Sequence, residues 1–380
     1  MLTIEQQIFK QIEKAKNILL VFPMEWEGDS VSATLALFTY LRKIEKTVDI
    51  AAAKPDREMN ALSFLPGFNE IKNNLDHLRR FIVSLDISKT KVSQIKYIVE
   101  NNQLNFIVSP EDGWFEPQDV SSKAGEFLYD LIITIGANDL ESLGNIYDQN
   151  VEFFYKTPII NIACQAANEE FGQINFIDLN CVGTSEMIYN LLQADDNKLI
   201  INEDIATGLL GGIIIKTRNF KTGNLTPRTL LITSELISLG ARREEIVNRL
   251  YRSRQMSDLK IWGKILNNLH LEDGGDLAWS WIAKTDTQNH EIAEDILRDM
   301  IDELMTNLPD VKIVLILVEQ DFTKTRMFVF SLKNTNVLDL LKNYNPKGTV
   351  KNIAADINQD LNTAITEIVG DIKQKLDKLK

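Results

Sequence analysis

Short apolar runs alternate with stretches of helical periodicity through the first half of the chain. Residues 18–21 and 48–52 read as buried parallel strands, and the apolar positions of residues 30–44 between them recur at helical spacing. That order predicts a βαβ unit. Residues 130–135 and 158–162 repeat the short apolar strand at the spacing of a doubly wound, mostly parallel sheet, an α/β fold. Residues 205–217, rich in Gly and Ile, form a helix or strand that closes the first domain; the run from Gly208 to Gly212 points to close helix packing.

Between residues 81 and 119 the period changes from 3.6 to 2. Residues 81–85, 95–99 and 104–108 alternate as antiparallel strands do, with Glu100-Asn101-Asn102-Gln103 as a hairpin turn. This predicts a β-ribbon inserted over about residues 79–125 of a first domain spanning 1–235, with the character of a lid or contact surface. Residues 236–275 carry charged helical periodicity and are expected to bridge to a smaller α+β domain, 276–380. In that domain residues 277–283 open a strand, 291–308 a helix, 311–317 and 326–332 two strands, and a long helix runs from 361. Trp279 and Trp281, two apart, are expected to pack one face of it. Together with Trp114 and Phe115 they could alternatively stack bases.

A length of 380 residues exceeds what one core usually holds and fits two domains. With 44% hydrophobic and 25% charged residues the chain is an ordinary globular one. Its net charge of -13 disfavours long nucleic acid, although a local basic cleft would still accept a mononucleotide or a very short oligonucleotide. The only cysteines, Cys164 and Cys181, lack CxxC spacing, which argues against structural zinc and a disulfide framework and for a reducing, cytoplasmic setting. The polar, amphipathic start and the absence of any run of 18 apolar residues predict neither secretion nor a membrane span.

The strand ending at Val21 runs into Phe22-Pro23-Met24-Glu25-Trp26-Glu27-Gly28-Asp29-Ser30. This resembles the first motif of the DHH phosphoesterase superfamily, His-x-x-x-Asp-Gly-Asp, with Pro23 at the His position and Glu27 at the first Asp. The second motif is similar to residues 132–136 followed by Asp139-Leu140-Glu141-Ser142-Leu143-Gly144, with Gly136 at the Asp position. The third resembles Asn161-Ile162-Ala163-Cys164-Gln165, then Asn168, Phe171-Gly172, Asn175, Asp178 and Thr184-Ser185-Glu186; Ala163, Cys164 and Gln165 stand where the eponymous Asp-His-His would be. The fourth is similar to residues 212–220 and Thr226-Pro227-Arg228-Thr229, with Lys216 at the last liganding Asp. The C-terminal phosphate grip of the family is matched only by Ser331-Leu332-Lys333-Asn334 and Asn345-Pro346-Lys347-Gly348. The likeness covers nearly the whole chain and is nearest the nanoRNase and pAp phosphatase branch, more distantly RecJ-like exonucleases.

The resemblance implies a phosphoesterase whose two manganese ions activate water and stabilise the transition state. Of the eight aligned site positions, Pro23, Glu27, Asp29, Gly136, Ala163, Cys164, Gln165 and Lys216, only Glu27 and Asp29 are carboxylates, and the three histidines, His77, His270 and His290, lie in no motif. The expectation is a catalytically inactive relative that needs no metal cofactor and binds a nucleotide, a short oligonucleotide or a protein partner. The alternatives are a manganese-dependent phosphodiesterase acting on short oligonucleotides or pAp, and a purely structural subunit. A Lys216–Asp29 ion pair is expected to replace the metal charge; the competing reading is a solvated lysine. If the family fold holds, Lys216, Arg218, Arg228 and Lys333 converge on a cleft that binds phosphate; otherwise they are scattered surface charges. Glu27 and Asp29 could be an acid–base pair, but a turn in which Asp29 and Ser30 cap the following helix is the stronger reading. Cys164 reads as a buried structural thiol rather than a nucleophile.

Overall fold

The computed structural model describes residues 2–55, 60–76, 78–194, 201–251, 256–272, 274–287, 292, 296–298, 300–301, 308, 310–333 and 335–378. The chain divides into two compact units, Met1–Arg252 and Ser253–Lys380.

The first unit opens with helix α1 (Ile4–Lys14), held at its start by a reciprocal capping box between Thr3 and Gln6. Strand β1 (Asn17–Val21) follows, then α2 (Gly28–Lys43), β2 (Thr47–Ala51) and β3 (Ile71–Lys72). A ribbon of β4 (Arg79–Leu85), β5 (Val92–Glu100), β6 (Gln103–Pro110) and β7 (Val120–Phe127) interrupts the domain. The sheet resumes with β8 (Leu131–Ile135), passes α3 (Asn145–Asp148) and α4 (Val151–Lys156), and continues in β9 (Ile159–Ala163) and β10 (Ile174–Ile177). Helices α5 (Thr184–Gln193), α6 (Glu203–Lys216), α7 (Pro227–Ser238) and α8 (Arg243–Tyr251) complete it.

The six strands lie in the order β10-β9-β8-β1-β2-β3, all parallel. Both faces are covered, which is why β1 is apolar without alternation: Ile18 and Leu20 pack with α2 and α6, Leu19 and Val21 with Tyr129, Phe153 and Phe154. The chain proceeds from β1 to β2 on one side and returns to β8 on the other, so the sheet changes direction between β1 and β8. In open α/β sheets the carboxyl ends of strands at such a switch point form the ligand crevice.

In the ribbon, β4 pairs with β7 and β5 with β6, both antiparallel. The β5–β6 turn is the expected two-residue one: Asn101 and Asn102 both have positive φ, 49° and 60°, as a type I′ hairpin turn requires. Strand β7 completes the insertion to Phe127; its Ser, Lys and Gly content hid it from a pattern search.

The second unit has α9 (Met256–Asn267), β11 (His270–Leu271), β12 (Leu277–Ile282), β13 (Ile313–Asp321), β14 (Lys324–Ser331), β15 (Lys347–Gly348) and β16 (Asn352–Ile357), with a C-terminal helix Leu361–Asp377. Its sheet runs β11-β12-β13-β14-β16-β15. Trp279 and Trp281 share a face of β12 with Leu277 and pack toward the C-terminal helix, while Ala278 and Ile282 face Ile261 and Ile265 of α9. The charged helical stretch read as a bridge is divided between the two units: Leu236 and Ile246 are buried in the first core, Ile261, Trp262 and Ile265 in the second. The helix expected over 291–308 falls mostly outside the described residues, as do His77, His290 and Asn334.

Candidate functional site

The carboxyl ends of β1, β8 and β9 carry the motif positions. After β1 the loop turns through Trp26, which has φ 48°, is buried, donates its indole N–H to the Ala53 carbonyl at 2.7 Å and stacks edge-on against Phe22. This clamp, invisible as a motif, aims the following Glu27-Gly28-Asp29 at the strand ends.

Asp29 is 2% exposed. Its Oδ2 accepts the Thr184 backbone N–H at 2.6 Å and the Thr184 hydroxyl at 2.8 Å, and its Oδ1 accepts the Ser185 backbone N–H at 3.0 Å. Asp29 therefore caps α5, whose first N–H groups would otherwise be unpaired and whose dipole favours a carboxylate there. It does not cap its own helix; Glu27, the N-cap of α2, makes no side-chain capping bond either. A Cβ on Gly212 would overlap the Ser185 hydroxyl and lie 2.7 Å from Asp29 Oδ1, so the glycine of α6 is what lets the three segments meet.

Lys216, at the end of α6, pairs with Glu27: Nζ donates to Oε2 at 3.0 Å. The expected Lys216–Asp29 pair is corrected to Lys216–Glu27. Asp29 turns toward the helix N-terminus, where its oxygens accept three hydrogen bonds, whereas Glu27 is half-exposed and within reach. Burial by itself would lower the Lys216 pKa, but the charge and hydrogen bond of Glu27, with the nearby Asp29, outweigh it and raise it. Cys164, just past β9, feels the same group: burial and then the Asp29 charge push its thiol up to about 11 against the opposing pull of Lys216. It is a protonated thiol at neutral pH, as a structural cysteine is.

Gly136, at the end of β8, has φ 77°, and a Cβ there would overlap the Ser30 hydroxyl. Ala163 ends β9 fully buried, and the Gln165 Oε1 is buried without a hydrogen-bond partner. Pro23 lends its carbonyl to the Trp26 N–H at 3.2 Å.

The residues of the third motif that survive serve one another. Asn161 donates its amide to Asn168 Oδ1 at 2.8 Å and Asn175 Oδ1 at 3.2 Å, and Asn168 donates to the Ala137 carbonyl at 2.7 Å, tying β8, β9 and β10 together. Asp178 accepts from the Asn180 N–H at 2.9 Å and the Cys181 thiol at 3.1 Å. Glu186, fully buried, accepts from Val182 N at 3.2 Å and the Thr229 hydroxyl at 3.0 Å. Arg228 lies 3.4 Å from Asp178 and 3.5 Å from Glu186, neutralised by both. Arg218 is exposed, in a turn where Arg218, Asn219 and Phe220 all have positive φ, 48°, 57° and 66°. Lys333 belongs to the second unit, where its ammonium donates to the Asp310 carbonyl at 3.3 Å.

No family model matches the sequence. Over 117 residues the chain is 31% identical to the bifunctional oligoribonuclease and PAP phosphatase NrnA of Thermus thermophilus, covering 31% of this chain and 35% of that protein. Over 122 residues it is 32% identical to the NrnA of Bacillus subtilis, covering 32% and 38%. Among solved structures, an exopolyphosphatase-related protein from Bacteroides fragilis superposes over 98% of this chain and 96% of its own with a TM-score of 0.67 at 16% identity, a likeness of fold. Together with the motif likeness, these matches make the chain similar to the DHH phosphoesterase superfamily. The matched segments span just over a third of the two NrnA relatives.

Proposed function

We propose that this DHH-like protein has lost phosphoester hydrolysis and keeps the crevice at the β1 and β8 strand ends as a binding site for a nucleotide or short oligonucleotide. The observation that carries the reading is what the two remaining carboxylates do. A dinuclear manganese centre needs several anionic oxygens and imidazoles free to bind. Asp29 already fills three of its roughly four acceptor positions with α5 donors, and Glu27 is held by an ammonium. Pro23, Gly136 and Ala163 offer no side-chain donor, and Cys164 is a protonated thiol. These residues do not fit the metal pair. Lys216, ion-paired with Glu27, is the cation that would exchange this partner for a phosphate, with Arg218 two positions on as a second phosphate contact. Arg228, engaged by two carboxylates, is given a structural role. Lys333 remains a phosphate ligand only by the motif likeness. Soluble, cytoplasmic placement is proposed from the unpaired cysteines; no helix among the described residues is long and apolar enough to cross a membrane.

Calorimetric titration of the metal-stripped protein with manganese, paired with a hydrolysis assay on a dinucleotide and on pAp, tests the reading. The expected result is no manganese heat, no EDTA-sensitive hydrolysis, and dinucleotide binding that weakens about tenfold in Lys216→Ala, the loss of one charge-assisted contact. Micromolar manganese binding with EDTA-sensitive turnover would overturn it. The names of the NrnA relatives favour that second reading, a phosphodiesterase of short oligonucleotides and pAp.

A further inference from the structure

The β5–β6 hairpin brings the apolar positions of its two alternating strands onto one face. Its register sets Ile95 opposite Val108, Tyr97 opposite Phe106 and Val99 opposite Leu104. Directly opposed residues share a face, so these six form one wholly apolar face, and Lys96, Ile98, Glu100, Gln103, Asn105 and Ile107 form the other. Five of the six apolar residues are more than half exposed: Ile95 64%, Tyr97 71%, Val99 67%, Leu104 53% and Phe106 55%. A two-stranded ribbon is marginal by itself and needs a covering layer for its apolar face.

We propose that the cover is the same face of a second copy of this chain, two hairpins stacking face to face about a twofold axis. Three observations favour a copy over another partner. The face is palindromic, an aromatic pair between two aliphatic pairs. A twofold axis lying between the ribbons thus brings the aromatic pair onto the aromatic pair: across the strands it sets Tyr97 on Tyr97 and Phe106 on Phe106 of the second copy, and along the strands it sets Tyr97 on Phe106. It carries no charge, on a chain with net charge -13, so no oppositely charged surface is called for. The area is modest: at roughly 60–120 Å² per aliphatic and about 200 Å² per aromatic side chain, scaled by exposure, the face offers on the order of 400 Å² per copy. That is about half the roughly 800 Å² per partner of a standard stable interface, which sets the expected dissociation constant in the micromolar range.

Sedimentation velocity of the full chain at about 1–100 µM, in about 50 and 500 mM NaCl, tests the proposal. A monomer–dimer equilibrium is expected, several-fold tighter at high salt because screening relieves the repulsion of two acidic copies. F106K and Y97K are expected to abolish the dimer, and I98K, on the opposite face, to leave it. All three side chains are exposed, and melting curves verify folding; if F106K does not fold, Y97K carries the test. A monomer at every concentration, or a dimer that survives both substitutions, overturns the proposal. So does a monomer whose hairpin binds phosphatidylcholine vesicles in an F106K-sensitive way, which would assign the face to a membrane. None of these outcomes depends on whether the crevice binds nucleotide.

Discussion

A carboxylate buried against a helix N-terminus is costly to neutralise, because the unpaired N–H groups it serves have no water to turn to. Asp29→Asn keeps the shape but presents an NH2 to donors, so it is expected to destabilise the first unit by about 2–4 kcal/mol, read as a fall in the urea midpoint. An unchanged midpoint would mean that α5 is not held by this residue. Cys164 gives a second measurement at this scale. With its thiol near 11, alkylation in a Cys181→Ser background stays slow through pH 9, where an ordinary cysteine of pKa about 8.5 is already mostly thiolate. Lys216→Ala removes a charge that lowers this pKa, so labelling shifts to still higher pH. The sign for stability follows: a thiol whose pKa rises on folding favours the folded state below its ordinary value of 9.0, and this contribution is lost between pH 9 and 11. The aligned motif positions were legible as residues, but their partners were not. Nothing local to Asp29 announces that Thr184, 155 positions on, will bind it, and so Lys216 was matched with the wrong carboxylate. Gly136 reads in sequence as a lost ligand; its left-handed φ and the Ser30 hydroxyl show a position that a side chain cannot simply re-enter.

At the scale of elements, the period of apolar residues revealed β1, β2, β8 and β9 because their apolar runs are buried, missed the short, partly buried edge strands β3 and β10, and revealed β5 and β6 because each is amphipathic. It failed at β7, where Ser121, Ser122 and Lys123 are exposed, and at β16, where Ile353, Ala355 and Ile357 alternate over only six residues. The hairpin turn was legible because Asn tolerates positive φ better than most residues, and both turn residues need it. Asn102→Val forces a β-branched residue into that conformation at a cost of about 1–2 kcal/mol or more. Amide exchange in residues 92–110 is expected to speed up accordingly, with no change in α2 or α6, because the ribbon forms its own two-stranded sheets outside the six-stranded one. Faster exchange throughout the first unit would show that the ribbon belongs to its cooperative core.

For the whole molecule, the decisive feature is that the cores are separate. Among the described residues, the clusters around the parallel sheet draw on residues 8–251 and those around the mixed sheet on residues 261–376. The helical stretch 236–275 reads as a bridge because its charges surround a regular apolar stripe, yet that stripe serves two cores in turn: Ile246 of α8 is buried in the first and Ile265 of α9 in the second. Separate cores make separable stability the expectation, and two fully buried leucines give matched probes. Leu20→Ala in β1 and Leu315→Ala in β13 each remove a side chain from a close-packed interior, at a cost of about 2–5 kcal/mol. Hydrogen exchange measured across each unit in mild urea should show Leu20→Ala accelerating only the slow amides of the six-stranded parallel sheet, and Leu315→Ala only those of β12, β13 and β14. Acceleration of both sheets by either substitution would mean that the units unfold as one block. In that case the crevice at the β1 and β8 strand ends draws its rigidity from the second sheet as well as from its own.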